Sequence, residues 1–162
     1  MGKAQVGLNK PNNTANFSPA DDKWELKKFL LKASNGAITE WALMAREVSG
    51  STTTGYVIKA PTTSANGQNT VGILAEPITT ADTDYAVDRM IGIYVPINAS
   101  AEMNFLVGSG TFTAIDVGKV VALYSDSLSV AVDSLGLGVE ITGYRDSTHG
   151  LCKMLVQRAV TA

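Results

Sequence analysis

The sequence predicts an all-β protein: a small barrel or sandwich of short antiparallel strands with little helix, led by an extended N-terminal arm. Three observations predict this. Apolar runs recur from Gly55 onward and several alternate strictly, as in Leu128, Val130 and Val132, which puts successive side chains on opposite faces. Gly, Pro, Asn, Asp and Ser break the runs at intervals of about 8–12 residues, the spacing of sandwiches and barrels. Thr and Val fill much of the sequence, and branching at Cβ favours the pleated conformation.

The chain has 162 residues and 17.0 kDa, with 45% hydrophobic residues. That length suits one compact domain, which would bury roughly 70% of the surface of its unfolded chain without metals or disulfides. The expected division is a flexible arm, 1–21, and a single β-rich domain, 22–162. The arm reads Asn9-Lys10-Pro11-Asn12-Asn13-Thr14 and then Ser18-Pro19, with Val6, Leu8 and Phe17 as its few large apolar residues and no period. Such a composition fits a tail that orders against a partner or stays disordered.

The stretch 22–48 has two readings. As a helix it would use Ser18 as N-cap, Pro19 in the first turn and Asn35-Gly36 as the stop. Trp24, Lys28 and Leu31 would then share a face with Lys32, a poor apolar stripe. As a hairpin it would turn at Asn35-Gly36, with Leu30 and Leu31 before and Ile38, Trp41, Leu43 and Val48 after. The hairpin is preferred because the rest of the chain is β. Strands are then expected at 55–60, 70–75, 91–95, 103–107, 120–124, 128–132, 139–144 and 151–156, with a helix or a loop at 81–90.

Composition excludes several functions. Thirteen Lys+Arg against fifteen Asp+Glu give a net charge of -2, without the basic stripe of a nucleic-acid groove. One Cys and one His exclude an internal disulfide framework and make a zinc site implausible. No run approaches the ~18 apolar residues of a membrane helix. Residues 1–11 hold two lysines and no apolar stretch, so synthesis in the cytoplasm is expected. Charged residues make up only 17% of the chain, the kind of surface a subunit of a permanent assembly presents.

The candidate chemistry is sparse. Asp82, Asp84 and Asp88 have the alternate spacing of calcium ligands. Ala86 and Val87 stand where an EF-hand needs a ligand and a glycine, so a solvated loop is the better reading. Asp146, Ser147 and His149 are the residue types of a hydrolytic triad, but they lie on one turn and no Gly-x-Ser-x-Gly elbow is present. Cys152 lies in a strand pattern and reads as a buried, inert thiol. Gly118-Lys119 lacks the Ser or Thr and the first glycine of a P-loop. Trp41 and Tyr94 are either core anchors or a sugar platform. No catalytic residue, cofactor or metal site is expected.

Two stretches carry a resemblance. The first is Gly55-Tyr56-Val57-Ile58-Lys59-Ala60, followed after a polar loop by Thr70-Val71-Gly72-Ile73-Leu74-Ala75. The second is Phe105-Leu106-Val107-Gly108-Ser109-Gly110-Thr111-Phe112. They resemble the head-decoration, or capsid cement, proteins of tailed bacteriophages, the lambda-type family. The resemblance implies a trimer on the outer surface of the expanded capsid, with an N-terminal arm that adds to strands of the major capsid protein. It implies no catalytic residues. The chain departs from that pattern in its length: 120–156 adds strand pairs that resemble, more loosely, other small phage structural domains.

The expected function is therefore capsid decoration and stabilisation in the virion. The major capsid protein and further copies of the chain in a homotrimer would be its partners, with no nucleic acid or membrane involved. Val6, Leu8 and Phe17 are the arm residues expected to bind the capsid, by β-augmentation. A head-fibre or tail accessory protein is the alternative, and a small hydrolase or a carbohydrate-binding sandwich is less favoured.

Overall fold

Alternating Val, Ile and Thr favour extended backbone, and the computed structural model forms eleven strands, with no α-helix, among the residues it describes: 17–61, 69–125 and 128–155. The strands are β1 (Ser18–Pro19), β2 (Trp24–Leu31), β3 (Leu43–Ser49), β4 (Thr52–Lys59), β5 (Thr70–Leu74), β6 (Arg89–Pro96), β7 (Met103–Ser109), β8 (Val120–Leu123), β9 (Val130–Leu135), β10 (Val139–Tyr144) and β11 (His149–Met154). A 3-10 turn, Ala114–Asp116, precedes β8. The protein is mainly β, as its alternation predicts.

Strands β2, β4, β3, β5 and β6 close in that order into a barrel. The pairings β7–β11, β11–β10, β10–β8, β8–β9 and β9–β7 likewise return on themselves. The two rings have one winding order. In each, the first strand runs parallel to the third and antiparallel to the fifth, and the second strand lies between the third and fourth. β2 to β6 thus correspond one by one to β7 to β11. Only β1 has no counterpart; it pairs antiparallel with β7, Ser18 opposite Asn104 and Pro19 opposite Met103.

Strand parity divides the apolar residues into two cores. In the first barrel, Leu31, Met44, Val57, Leu74 and Ile93, one from each strand, form the interior. In the second, Phe105, Val121, Val130, Ile141 and Cys152 do the same. Leu43, Ala45, Ile73 and Tyr94 have the opposite parity in the first barrel, yet they belong to the second barrel's core cluster together with Trp24 and Trp41. One outer face of the first barrel is therefore buried in the shared core. Trp41 stacks on Tyr94, ring centroids 6.0 Å apart, and Trp24 Nε1–H donates to the Glu102 carbonyl at 2.9 Å. Gly72 is required where β5 meets β6, because a Cβ there would overlap the Tyr94 backbone.

The region 22–48 needs a correction. It is extended, as the hairpin reading has it, but β2 and β3 are not paired. β2 lies along all eight residues of β6, and β3 lies between β4 and β5. The turn falls at Ala33-Ser34, just before Asn35-Gly36, with Ser34 at φ 54° and Gly36 at φ 95°. Its N–H groups, however, are taken up by the segment that leads into β6 at the same end of the barrel: Ser34 donates to the Tyr85 carbonyl at 2.8 Å and Gly36 to Tyr85 Oη at 2.7 Å. Turn chemistry is local, whereas partner choice is set by core packing. The stretch 81–90 forms successive turns and the start of β6, with no helix.

Within 22–162 lie two barrels that share a core, and residues 17–21, inside the expected arm, pack on the second of them. Phe17 is fully buried in that shared core. Replacing a buried Phe by Ala typically removes about 3–5 kcal/mol. Phe17→Ala is expected to lower stability by that amount in urea unfolding, with the slope unchanged. A loss below about 1 kcal/mol would mean that the segment does not belong to the folded unit.

Candidate functional site

Among the described residues, the polar side chains with the most perturbed environments fall into four places. At the end of the first barrel, Arg89 is only 11% exposed. Its guanidinium donates to Asp82 Oδ2 at 2.9 Å and to Asp84 Oδ1. Asp82 also accepts from the Thr79 N–H at 3.0 Å and from its hydroxyl at 2.8 Å. These two bonds, and then Arg89, hold its carboxyl below the usual range. Asp88 points elsewhere. It accepts from Tyr56 Oη and the Ala33 N–H, both at 2.7 Å, and Tyr56 first, then Ala33, lowers its pKa. The three aspartates thus serve two separate tasks and do not converge on a cation. An open cleft of about 290 Å³ runs beside Lys28, Glu76, Asp82, Arg89 and Met90. Arg89 in its wall is already engaged by two carboxylates.

The second place is the turn before β8. Asp116 is buried and accepts from Lys119 Nζ at 2.6 Å and the Thr113 N–H at 2.8 Å. Lys119 and then the Thr113 N–H hold its carboxyl low. The lysine of the Gly118-Lys119 pair thus closes its own turn.

The third is the turn before β11. Asp146 Oδ1 accepts from the Thr148 N–H at 2.8 Å, the Thr148 hydroxyl at 2.9 Å and the His149 N–H at 2.9 Å, and lies 3.1 Å from His149 Nδ1. Thr148 Oγ1 is 2.7 Å from the same ring nitrogen. No hydrogen bond joins Ser147 to the ring. A triad needs base and nucleophile in contact at a position where a substrate can lie. Here the carboxylate, hydroxyl and imidazole tie one turn together, as Asp and Thr do for local backbone reasons. Cys152 is fully buried, and desolvation, with Glu102 nearby, pushes its thiol well above the ordinary value. Such a thiol is inert.

The fourth is the strap formed by 17–21. The Ala20 N–H donates to the Glu102 carbonyl at 3.0 Å, and Asn104 Nδ2 donates to Ser18 Oγ at 3.1 Å. Asp21 accepts from the N–H groups of Lys23 and Glu102, both at 3.0 Å. Of the residues expected to bind a capsid, Phe17 is in the chain's own core and so is not free to insert elsewhere. Val6 and Leu8 lie outside the described residues. Trp41 and Tyr94 are buried against one another and form no exposed platform. The strap gives little sequence signal, because one Phe between polar residues has no period.

No group of three or more His, Cys, Asp or Glu side chains among the described residues is placed to hold a metal ion, and no helix is long and apolar enough to cross a membrane. No protein-family model, curated protein or solved structure matches the chain.

The Asp146 turn makes a measurable prediction. The Thr148 N–H first, then the Thr148 hydroxyl, and with them His149, lower the Asp146 carboxyl to about 2, against about 3.9 for a free aspartate. A depressed folded-state pKa adds stability that is fully present above about pH 4 and is lost as pH falls towards about 2. A carboxyl titration followed by NMR should give a midpoint near 2. Asp146→Asn should remove this contribution from the acid limb of the stability curve. A midpoint near the ordinary ~3.9 would show that the turn does not hold the carboxylate.

Proposed function

We propose that the protein is a virion structural protein of a tailed bacteriophage, one that decorates the outer surface of the capsid and bridges neighbouring major capsid subunits as a homotrimer. The observation that carries this reading is how the polar groups are used. Among the described residues, the candidate side chains Asp82, Asp84, Asp88, Asp116, Asp146, His149 and Cys152 are engaged in turns, strand-end contacts or the core. What remains is a double barrel with sheet edges and an N-terminal segment that enters as an added strand. Such a molecule works by adhering. The stretches that resemble the lambda-type decoration family supply β4, β5 and β7, which agrees with this reading.

The arm enters the mechanism through residues 1–16. Because the segment from Phe17 onward is part of the barrel assembly, partner contacts by the arm fall to the residues before it, with Val6 and Leu8 as the apolar anchors. A shell offers many copies of one site, so modest contacts add up through multivalency. A head-fibre or tail accessory role would use the same fold on a different virion surface. A hydrolytic role would need His149 to leave the turn it closes.

A variant lacking residues 2–16 is expected to fold as the full chain does and to lose saturable binding to expanded phage shells in co-sedimentation. The full chain should bind and should sediment as a trimer by itself. Undiminished binding by the shortened chain would remove the arm from the mechanism. Labelling of virions at fibres or tails, and not at heads, would replace capsid decoration with the accessory role.

A further inference from the structure

The repeated winding order exposes one difference between the barrels. In each, the third strand reaches only the last part of the first: Tyr56 and Val57 lie opposite Leu30 and Leu31, and Val130 and Ala131 lie opposite Val107 and Ser109. The earlier part of the first strand is left with one neighbour. Four and three positions ahead of the closing pair stand Met103 and Asn104 on β7, and Leu26 and Lys27 on β2. On β7 that stretch is covered by β1. On β2 no strand among the described residues covers it: β6 lies along one side, and no described ladder partner lies along the other before Leu30. Alternate residues of an antiparallel strand direct N–H and C=O away from their partner, so this edge presents unpaired backbone groups. It is also open to solvent. Leu26 is 40% exposed, the Lys27 side chain is 57% exposed, and Lys28 is exposed as well.

We propose that the free edge of β2 at 26–28 is a strand-acceptor site that takes an extended, acidic segment of a partner protein by β-augmentation. Its counterpart on β7 already accepts an extended segment in this way, with Ala20 and Glu102 bonded backbone to backbone. Charge selects the occupant. Residues 23–32 hold Lys23, Lys27, Lys28 and Lys32 against Glu25 alone. Glu25 pairs with Lys27 at 3.2 Å and Lys28 borders the cleft that holds Glu76, Asp82 and Asp84, so the excess of positive charge on this edge is small but local. Lysines on an edge repel a like edge, so a second copy's β2 would set Lys27 and Lys28 against their equals. The chain's own residues 1–16 hold Lys3 and Lys10 and no carboxylate, which disfavours them too. A strand with paired carboxylates turns the same lysines into attractive partners, while Leu26 and Leu30, on one face of β2, offer apolar seats. Only the identity of the partner, a segment of the shell protein, rests on the function proposed above.

The test uses fluorescein-labelled peptides on the full chain at low salt: Thr-Val-Glu-Glu-Val-Thr, its counterpart with both Glu replaced by Lys, and the Glu peptide N-methylated at alternate residues. Anisotropy should show saturable binding of the Glu peptide, at least about tenfold weaker binding of the Lys peptide, and none of the N-methylated one, since pairing requires backbone donors. Amide exchange should slow at Leu26 and Lys28, whose N–H groups point away from β6. The double variant K27E/K28E should reverse the preference between the two peptides. Equal binding of both peptides, no binding, or protection confined to another region overturns the proposal, and the wild-type comparison decides even if the variant does not fold. Peptide binding without shell binding would remove the capsid as partner and leave the edge site standing. Shell binding without peptide binding would do the reverse.

Discussion

The short parallel pairing that closes each barrel is the constraint on which the rest of the structure depends. Leu30 and Leu31 meet Tyr56 and Val57 in the first barrel, and Val107 and Ser109 meet Val130 and Ala131 in the second. Without it each sheet would be open along its full length, and edges of that kind invite pairing with any chain that approaches. Because the closure covers only the end of the first strand, it also creates the two places where the fold is incomplete. One is filled by β1 and the other, among the described residues, remains on the surface. The rest of the molecule, from the shared core to the strap, is arranged around that geometry.

The strap shows how a small added element becomes part of the core. Two paired residues could not hold a strand by backbone bonds alone, because each bond contributes only about 1 kcal/mol net and ordering each residue costs a similar amount. Phe17 supplies the difference by filling the shared core, and the Asp21 carboxylate fixes the turn that leads into β2. Pro19 has no N–H and so cannot extend the ladder outwards, which makes β1 a blunt end to the sheet. The second barrel is thereby protected by a proline and a buried aromatic, whereas the corresponding stretch of the first is protected by lysines.

Much of this fold is legible in the sequence, and the boundary of what is legible has a physical cause. The alternation at 139–144 and 103–107 locates β10 and most of β7 because a strand's side-chain period is local. Asp82 and Asp146 read as loop and turn residues for the same reason, since Thr79 and Thr148 lie within a few positions of them. What is not legible depends on distant parts of the chain. The Asn35-Gly36 pair carries every local mark of a hairpin, yet β2 goes to β6, more than fifty residues later, where Leu31 and Ile93 share the barrel interior and Phe29 packs against it. Phe17 looks like one apolar residue in a polar arm until β7 provides an edge for it. The repeated winding order is not evident from residue identity at the strand starts: Leu26-Lys27-Lys28 and Met103-Asn104-Phe105 stand at corresponding positions with different residues.

That difference in residues is itself informative, because the two barrels have the same topology and only one has its first-strand edge covered. A core position accepts many apolar residues of similar volume, so two interiors of one shape can hold different residues. An edge position is constrained by what lies beside it. Asn104, on β7, carries an amide that donates to Ser18 of the covering strand. Lys27 and Lys28, at and next to the corresponding position of β2, carry long charged chains that stay in solvent and exclude a strand of like charge. A residue chosen only for solubility could have either sign, and the chain as a whole is slightly acidic, at -2. A positive cluster on one open edge of an acidic protein is therefore a local choice, one that favours a carboxylate-bearing neighbour over a copy of itself.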